Sequence, residues 1–198
     1  MIVNIRGTHG SGKSTAVRRL MGVCTDVDPV YSGRRILGYR CTLRTGATLY
    51  ALGGYANACG GADGIQPYSS IWPRVAAAAK DFDHVVFEGA LISTTYGSIG
   101  DAAYEYGAHF TFAFMDTPLD VCVARVNQRR AAAGKGPLAD TKNVDSKWRT
   151  IRRLHGKLGD GTIVTGNHNV LINHQTPAKD LLKLLGIRVN KEPTNEAS

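Results

Sequence analysis

The chain reads as an α/β domain, a mostly parallel sheet of about five strands with helices on both faces. Three observations predict it. Short β-type runs alternate with helical segments along the chain. A glycine-rich run at residues 7–12 joins the first strand to the first helix. Gly7, Glu88 and Asp116 each close a strand run, and open α/β sheets bind ligands at such carboxyl ends. With 198 residues, 43% hydrophobic and 20% charged, the chain is sized for one domain around one core. We expect that domain over residues 1–187 and a polar, disordered tail over 188–198.

The elements follow in order. Residues 2–6 are apolar and β-type. The helix over 12–21 has Val17, Leu20 and Met21 inward and Arg18 and Arg19 outward. Residues 24–31 form a connection carrying Asp26 and Asp28 and stopped by Pro29. Two β-type runs, 35–41 and 48–53, flank Arg44-Thr45-Gly46 and read as a small hairpin insertion. The stretch 53–64 holds too much glycine for a regular element. Interleaved with Tyr50, Tyr55 and Tyr68, it suits a backbone surface that another group approaches closely. A helix over 67–80 and a strand over 83–87 come next, then a short helix over 101–106 and a strand over 109–115. Thr117-Pro118 opens a helix bearing Arg125, Arg129 and Arg130. A connector over 131–140, a basic helix over 144–158, a strand over 170–173 and a helix over 178–185 complete the domain.

Residues 7–14, Gly-Thr-His-Gly-Ser-Gly-Lys-Ser, match G-x-x-x-x-G-K-[ST] between a strand and a helix. The four fixed positions would meet by chance in about one chain in a hundred of this length. Such a loop curls its amides around an anion, so Gly7, Thr8, His9, Gly10, Ser11, Gly12, Lys13, Ser14 and Thr15 are expected to bind ATP. Lys13 would neutralise the β- and γ-phosphates, and the Thr15 hydroxyl would reach the α-phosphate. Ser14 would sit on Mg²⁺, with Glu88 as a further metal ligand. Glu88 could equally orient the acceptor hydroxyl or take its proton. The plain alternative is a cap on the next turn. Asp28, ahead of Asp26, is the other candidate base, since both lie where a second parallel strand should end. Either acid could also be a solvated turn residue.

The charge is uneven. Residues 125–157 hold six Arg and four Lys against two Asp, which accounts for the entire net +8. That is either a solvated basic face or a phosphate-facing element. Arg125 and Arg129, four residues apart, share a helix face and suit an arginine-rich lid that closes over a triphosphate and excludes water. No Asn-Lys-x-Asp run argues for a guanine-reading switch, and no apolar run of 18 residues argues for a membrane span. Cys24, Cys41, Cys59 and Cys122 are widely spaced. With the phosphate loop starting at residue 7, no signal peptide is expected, and a cytoplasmic protein fits.

Together the loop, Glu88-Gly89, and the run 116–122 leading into Arg125 and Arg129 resemble the P-loop kinases of nucleosides and nucleotides. Asn4-Ile5-Arg6-Gly7, Leu52-Gly53-Gly54-Tyr55, Cys59-Gly60-Gly61-Ala62-Asp63 and Phe87-Glu88-Gly89 are similar to the bacteriophage kinases of 5-hydroxymethyluracil in DNA. That resemblance implies a P-loop NTPase fold, ATP and Mg²⁺, and the 5-hydroxymethyl group of phage DNA as acceptor. A free nucleoside, nucleotide or small metabolite is the alternative acceptor. A non-transferring ATPase is a third reading, which lid arginines disfavour.

Overall fold

The computed structural model describes residues 1–56, 60–159 and 168–187. The expected tail, 188–198, lies outside the described residues. Seven strands form one sheet: β1 (Ile2–Arg6), β2 (Asp26–Ser32), β3 (Arg35–Thr42), β4 (Thr48–Leu52), β5 (His84–Glu88), β6 (Phe110–Asp116) and β7 (His168–Asn173). Their spatial order is β2-β3-β4-β5-β1-β6-β7.

β1 pairs in parallel with both β5 and β6, through Ile2↔Val85 and Ile2↔Phe110, and all five of its residues are buried. Such strands must be apolar on both faces, and alternate residues serve opposite layers. Ile2, Val85, Phe87, Phe110, Phe112 and Phe114 pack with α2 (Ile71–Asp81), α3 (Ala90–Thr94), α4 (Gly97–Tyr106) and α6 (Lys142–Gly159). Val3, Ile5, Val86, Ala113 and Met115 pack with α1 (Lys13–Met21) and α7 (Pro177–Leu184). A further helix, α5 (Leu119–Ala132), follows β6 and buries Cys122 and Val126.

Three expectations need correction. The sheet has seven strands where about five were expected. Its parallel block, β4 to β7, has five, and β2 and β3 extend one edge antiparallel. The connection over 24–31 is in fact mostly β2. Pro29 marks it as an edge strand rather than a stop, because an edge tolerates a residue without an N–H. The hairpin of β3 and β4 is no insertion: β4 runs parallel to β5, with Leu49↔His84 and Leu52↔Phe87, and so is the second parallel strand.

The lid expected over 125–157 also divides. α5 carries the arginines, but α6 is a core helix whose Val144, Ile151 and Leu154 are buried at helical spacing. Among the described residues, no helix is long and apolar enough to cross a membrane.

Candidate functional site

The site is built where β1 gives way to α1. Gly12 caps α1 at φ 97°, a left-handed conformation in which a side chain is strained, and lets the loop turn sharply into the helix. The loop is pinned from several sides. The Gly7 amide donates to Ser93 Oγ at 3.2 Å, and Thr117 Oγ1 donates to the Ser11 carbonyl at 2.8 Å. Thr8 Oγ1 donates to the Val144 carbonyl of α6 at 3.0 Å. Loop, β6 and α6 are thereby fixed to one another.

Lys13 opens α1 and is buried. Its Nζ donates to the carbonyls of Gly7 (2.8 Å) and Thr8 (3.2 Å) and lies 3.9 Å from Glu88 Oε2. Glu88, the last residue of β5, accepts from Ser14 Oγ at 2.7 Å. Burial pushes the Lys13 pKa down and the Glu88 pKa up, and their mutual attraction opposes both shifts. A buried lysine satisfied by two carbonyls and one distant carboxylate is a cation set up to receive an anion. Serine and glutamate oxygens side by side form a hard-oxygen donor set of the kind that Mg²⁺ takes.

Beside Glu88 stands an acid the sequence pattern did not single out. Asp63 lies on a 3₁₀ turn, Ala62–Gly64, and accepts from the amides of Ala90 (2.7 Å) and Leu91 (3.2 Å), capping α3. It is exposed, whereas Glu88 is buried. Gly61, at φ 98°, sets this turn directly against Glu88; a Cβ there would collide with the carboxylate. The glycine-rich stretch is thus a surface of close approach, as expected, although its residues 57–59 lie outside the described residues. Tyr55 anchors it, buried and donating from its hydroxyl to the Leu52 carbonyl at 3.2 Å.

α5 flanks the other side of the loop. Arg125 Nη1 lies 3.5 Å from the Gly10 carbonyl, and Arg125 and Arg129 line a cleft of about 380 Å³ with Lys13, Ser14, Thr15, Arg19 and His174. Arg130 turns away and donates to the Gly136 carbonyl at 2.7 Å. Asp116, at the end of β6, pairs with Arg152 at 2.9 Å rather than facing the cleft's lysine.

The structure therefore brings together Gly7–Thr15, Glu88, Arg125 and Arg129, and leaves Asp28 out. Asp28 is exposed on edge strand β2, in register with Arg40, and β3 and β4 separate it from β5. The second parallel strand is β4, and the acid that lies beyond it beside Glu88 is Asp63. Counting β4 rather than 24–31 as that strand would have found it. His174, whose Nδ1 lies 2.8 Å from the Asp116 carbonyl, carried no sequence signal.

A loop of this form, ending in a buried lysine and backed by carboxylates and arginines, is the apparatus of a phosphotransferase, and comparison with known proteins agrees that this chain is a kinase. A family model described as 5-hmdU DNA kinase matches residues 1–159. A 5-hmdU DNA kinase from Pseudomonas phage PaMx11 is 36% identical over 151 residues, covering 75% of this chain and 79% of the relative. Another, from Pseudomonas phage M6, is 32% identical over 183 residues, 84% and 90% of the two chains. A third, from Delftia phage PhiW-14, is 26% identical over 187 residues, 86% and 69% of the two. The chain belongs to the 5-hmdU DNA kinase family.

Proposed function

We propose that this enzyme is a P-loop kinase that transfers the γ-phosphoryl group of ATP to the 5-hydroxymethyl group of 5-hydroxymethyluracil in phage DNA. The observation that carries this reading is the buried Lys13, held between the loop carbonyls and Glu88 in a chain whose relatives are named for that acceptor. In the reaction the hydroxymethyl oxygen bonds to the γ-phosphorus. The bond from that phosphorus to the bridging oxygen breaks and ADP departs. The hydroxyl proton passes to a carboxylate.

Asp63 fits that last role better than Glu88. Its carboxylate is exposed at the carboxyl end of β4, and each oxygen keeps a lone pair after capping α3. Glu88 is already engaged by Ser14 and Lys13. Ser14 and Glu88 would hold Mg²⁺, which when bound neutralises charge on the phosphates. Lys13 orients the β- and γ-phosphates, and the adenosine end lies along the cleft toward Arg19 and His174. Arg125 and Arg129, four apart on α5, stabilise the charge that spreads over the moving group. The basic residues of α6 give a polymer substrate phosphate contacts at a distance from the reacting base. With phage DNA as substrate, the enzyme works in the cytoplasm of the infected cell.

The test offers ATP labelled at the γ-phosphate with hydroxymethyluracil DNA, unmodified DNA and a panel of free nucleosides. Label should enter the modified DNA alone, and Lys13→Ala should abolish it. Label in free nucleosides only would instead establish a small-molecule kinase.

A further inference from the structure

His9, at a loop position where the motif allows any residue, makes a contact that motif does not call for. Its Nε2 lies 2.9 Å from Lys147 Nζ of α6. An ammonium only donates, so Nε2 is the acceptor and the ring proton sits on Nδ1. The neighbouring α6 residues are fixed: Val144 accepts from Thr8 Oγ1, and Trp148 Nε1 donates to the Thr117 carbonyl at 2.9 Å. Lys147 lies between these two anchors, on the helix face that buries Val144 and Ile151, so its stem has little freedom. His9 is half-buried among groups from every neighbouring element: Lys147 from α6, Lys13 from α1, Arg129 from α5 and Asp63 from its turn.

We propose that Lys147 is a further catalytic cation, delivered to the transferring phosphoryl group by α6, and that His9 is the residue that positions it. The inference rests on the phosphoryl-transfer reading above. Among the described residues, Lys13, Arg125, Arg129 and Lys147 gather around the loop with Glu88 and Asp63 opposing them, a surplus of positive charge that a polyanion would relieve. Lys147 comes from α6, which packs against both α3 and α5, so a phosphoryl group seated at the loop would meet its ammonium beside His9. Burial and the three cations depress the His9 pKa. The ring therefore stays neutral and keeps its acceptor for Lys147. Once protonated it would repel the ammonium.

Single-turnover transfer to hydroxymethyluracil DNA, measured beside Mg·ATP affinity and a thermal melt, tests this. Lys147→Met should slow transfer at least ~10-fold while ATP affinity moves less than about threefold, the mark of a group acting mainly in the transition state. His9→Ala should be slowed as well, and the double variant should be no slower than Lys147→Met alone. His9→Gln, whose amide oxygen still accepts, should recover most of the rate and lose the decline that wild type shows toward acid pH. A Lys147→Met enzyme as fast as wild type, or independent, multiplying losses from the two sites, would overturn the inference while leaving the kinase intact. A wild type that transfers nothing would overturn both.

Discussion

At the residue scale the division of labour between Glu88 and Asp63 makes separable predictions. Glu88 is buried against Lys13 and Ser14, so Glu88→Gln should lower turnover at least ~10-fold with the fold retained, as a thermal melt would confirm. With Asp63 as the proposed base, Asp63→Asn should lower turnover while leaving the affinity for Mg·ATP near that of wild type. Asp63→Ala should in addition cost about 1 kcal/mol of stability through loss of the α3 cap. A Glu88→Gln enzyme at full turnover would remove Glu88 from the reaction. Arg125→Ala should impair transfer more than ATP binding; equal loss in both would move Arg125 to a purely binding role. The loop residues and Glu88 were legible in the sequence because their chemistry is local: a fixed spacing after one strand, and an acid ending another. Asp63 and Lys147 stood in runs the sequence marked without a role of their own, and His174 carried no signal. Each reaches the site only through the order of strands or the docking of a helix.

At the scale of elements, the parallel core strands announced themselves by apolar runs, and β1, β5 and β6 fall within a residue or so of their expected bounds. The hairpin runs 35–41 and 48–53 also match β3 and β4, and the errors lie at residues 24–31 and in how that hairpin joins the sheet. Pro29 suggested a break, while β2 is an exposed edge strand whose pattern carries no burial period. With β2 at the sheet edge, Asp28 lies away from Glu88, whereas Asp63, beyond β4, lies beside it. The basic helix was placed correctly, but its charges mask a buried stripe of Val144, Ile151 and Leu154 that packs it into the core. Ile151→Ala should accordingly destabilise the protein by roughly 2–5 kcal/mol, as befits a core position. On a detachable lid the same change would leave the melt unmoved. Arg6 reports the same interplay of local and distant order. Wholly buried, it donates to Asn4 Oδ1 and the Thr95 carbonyl, each at 2.7 Å, and lies over the Phe112 ring, while burial lowers its pKa to about 9.

At the scale of the molecule, charge and protonation set how the enzyme responds to its surroundings. Arg153 and Lys157 project from the exposed face of α6, while Arg149 and Arg152 are tied to Asp145 and Asp116. Activity on DNA should fall steeply with salt. Replacing Arg153 and Lys157 together by Ala should reduce the log–log slope by about 2, roughly one unit per lost phosphate contact. An unchanged slope would place the DNA elsewhere. His9, His84 and His155 are each held below the usual histidine range, by burial foremost. The unfolded chain then binds more protons as pH falls through about 6.5, so stability present above that range should decline below it. Glu88, shifted upward, pulls the opposite way. Melting temperatures at pH 7.5 and 5.5 should show the net decline, and a higher value at pH 5.5 would contradict it.

The measurement that reaches the centre of this account is mass spectrometry of nucleosides released from hydroxymethyluracil DNA after incubation with enzyme and Mg·ATP. The account predicts a nucleoside heavier by one phosphoryl group on its 5-hydroxymethyl arm, formed by wild type and absent with Lys13→Ala. Unaltered hydroxymethyl nucleoside, or phosphate found only at strand termini, would contradict it.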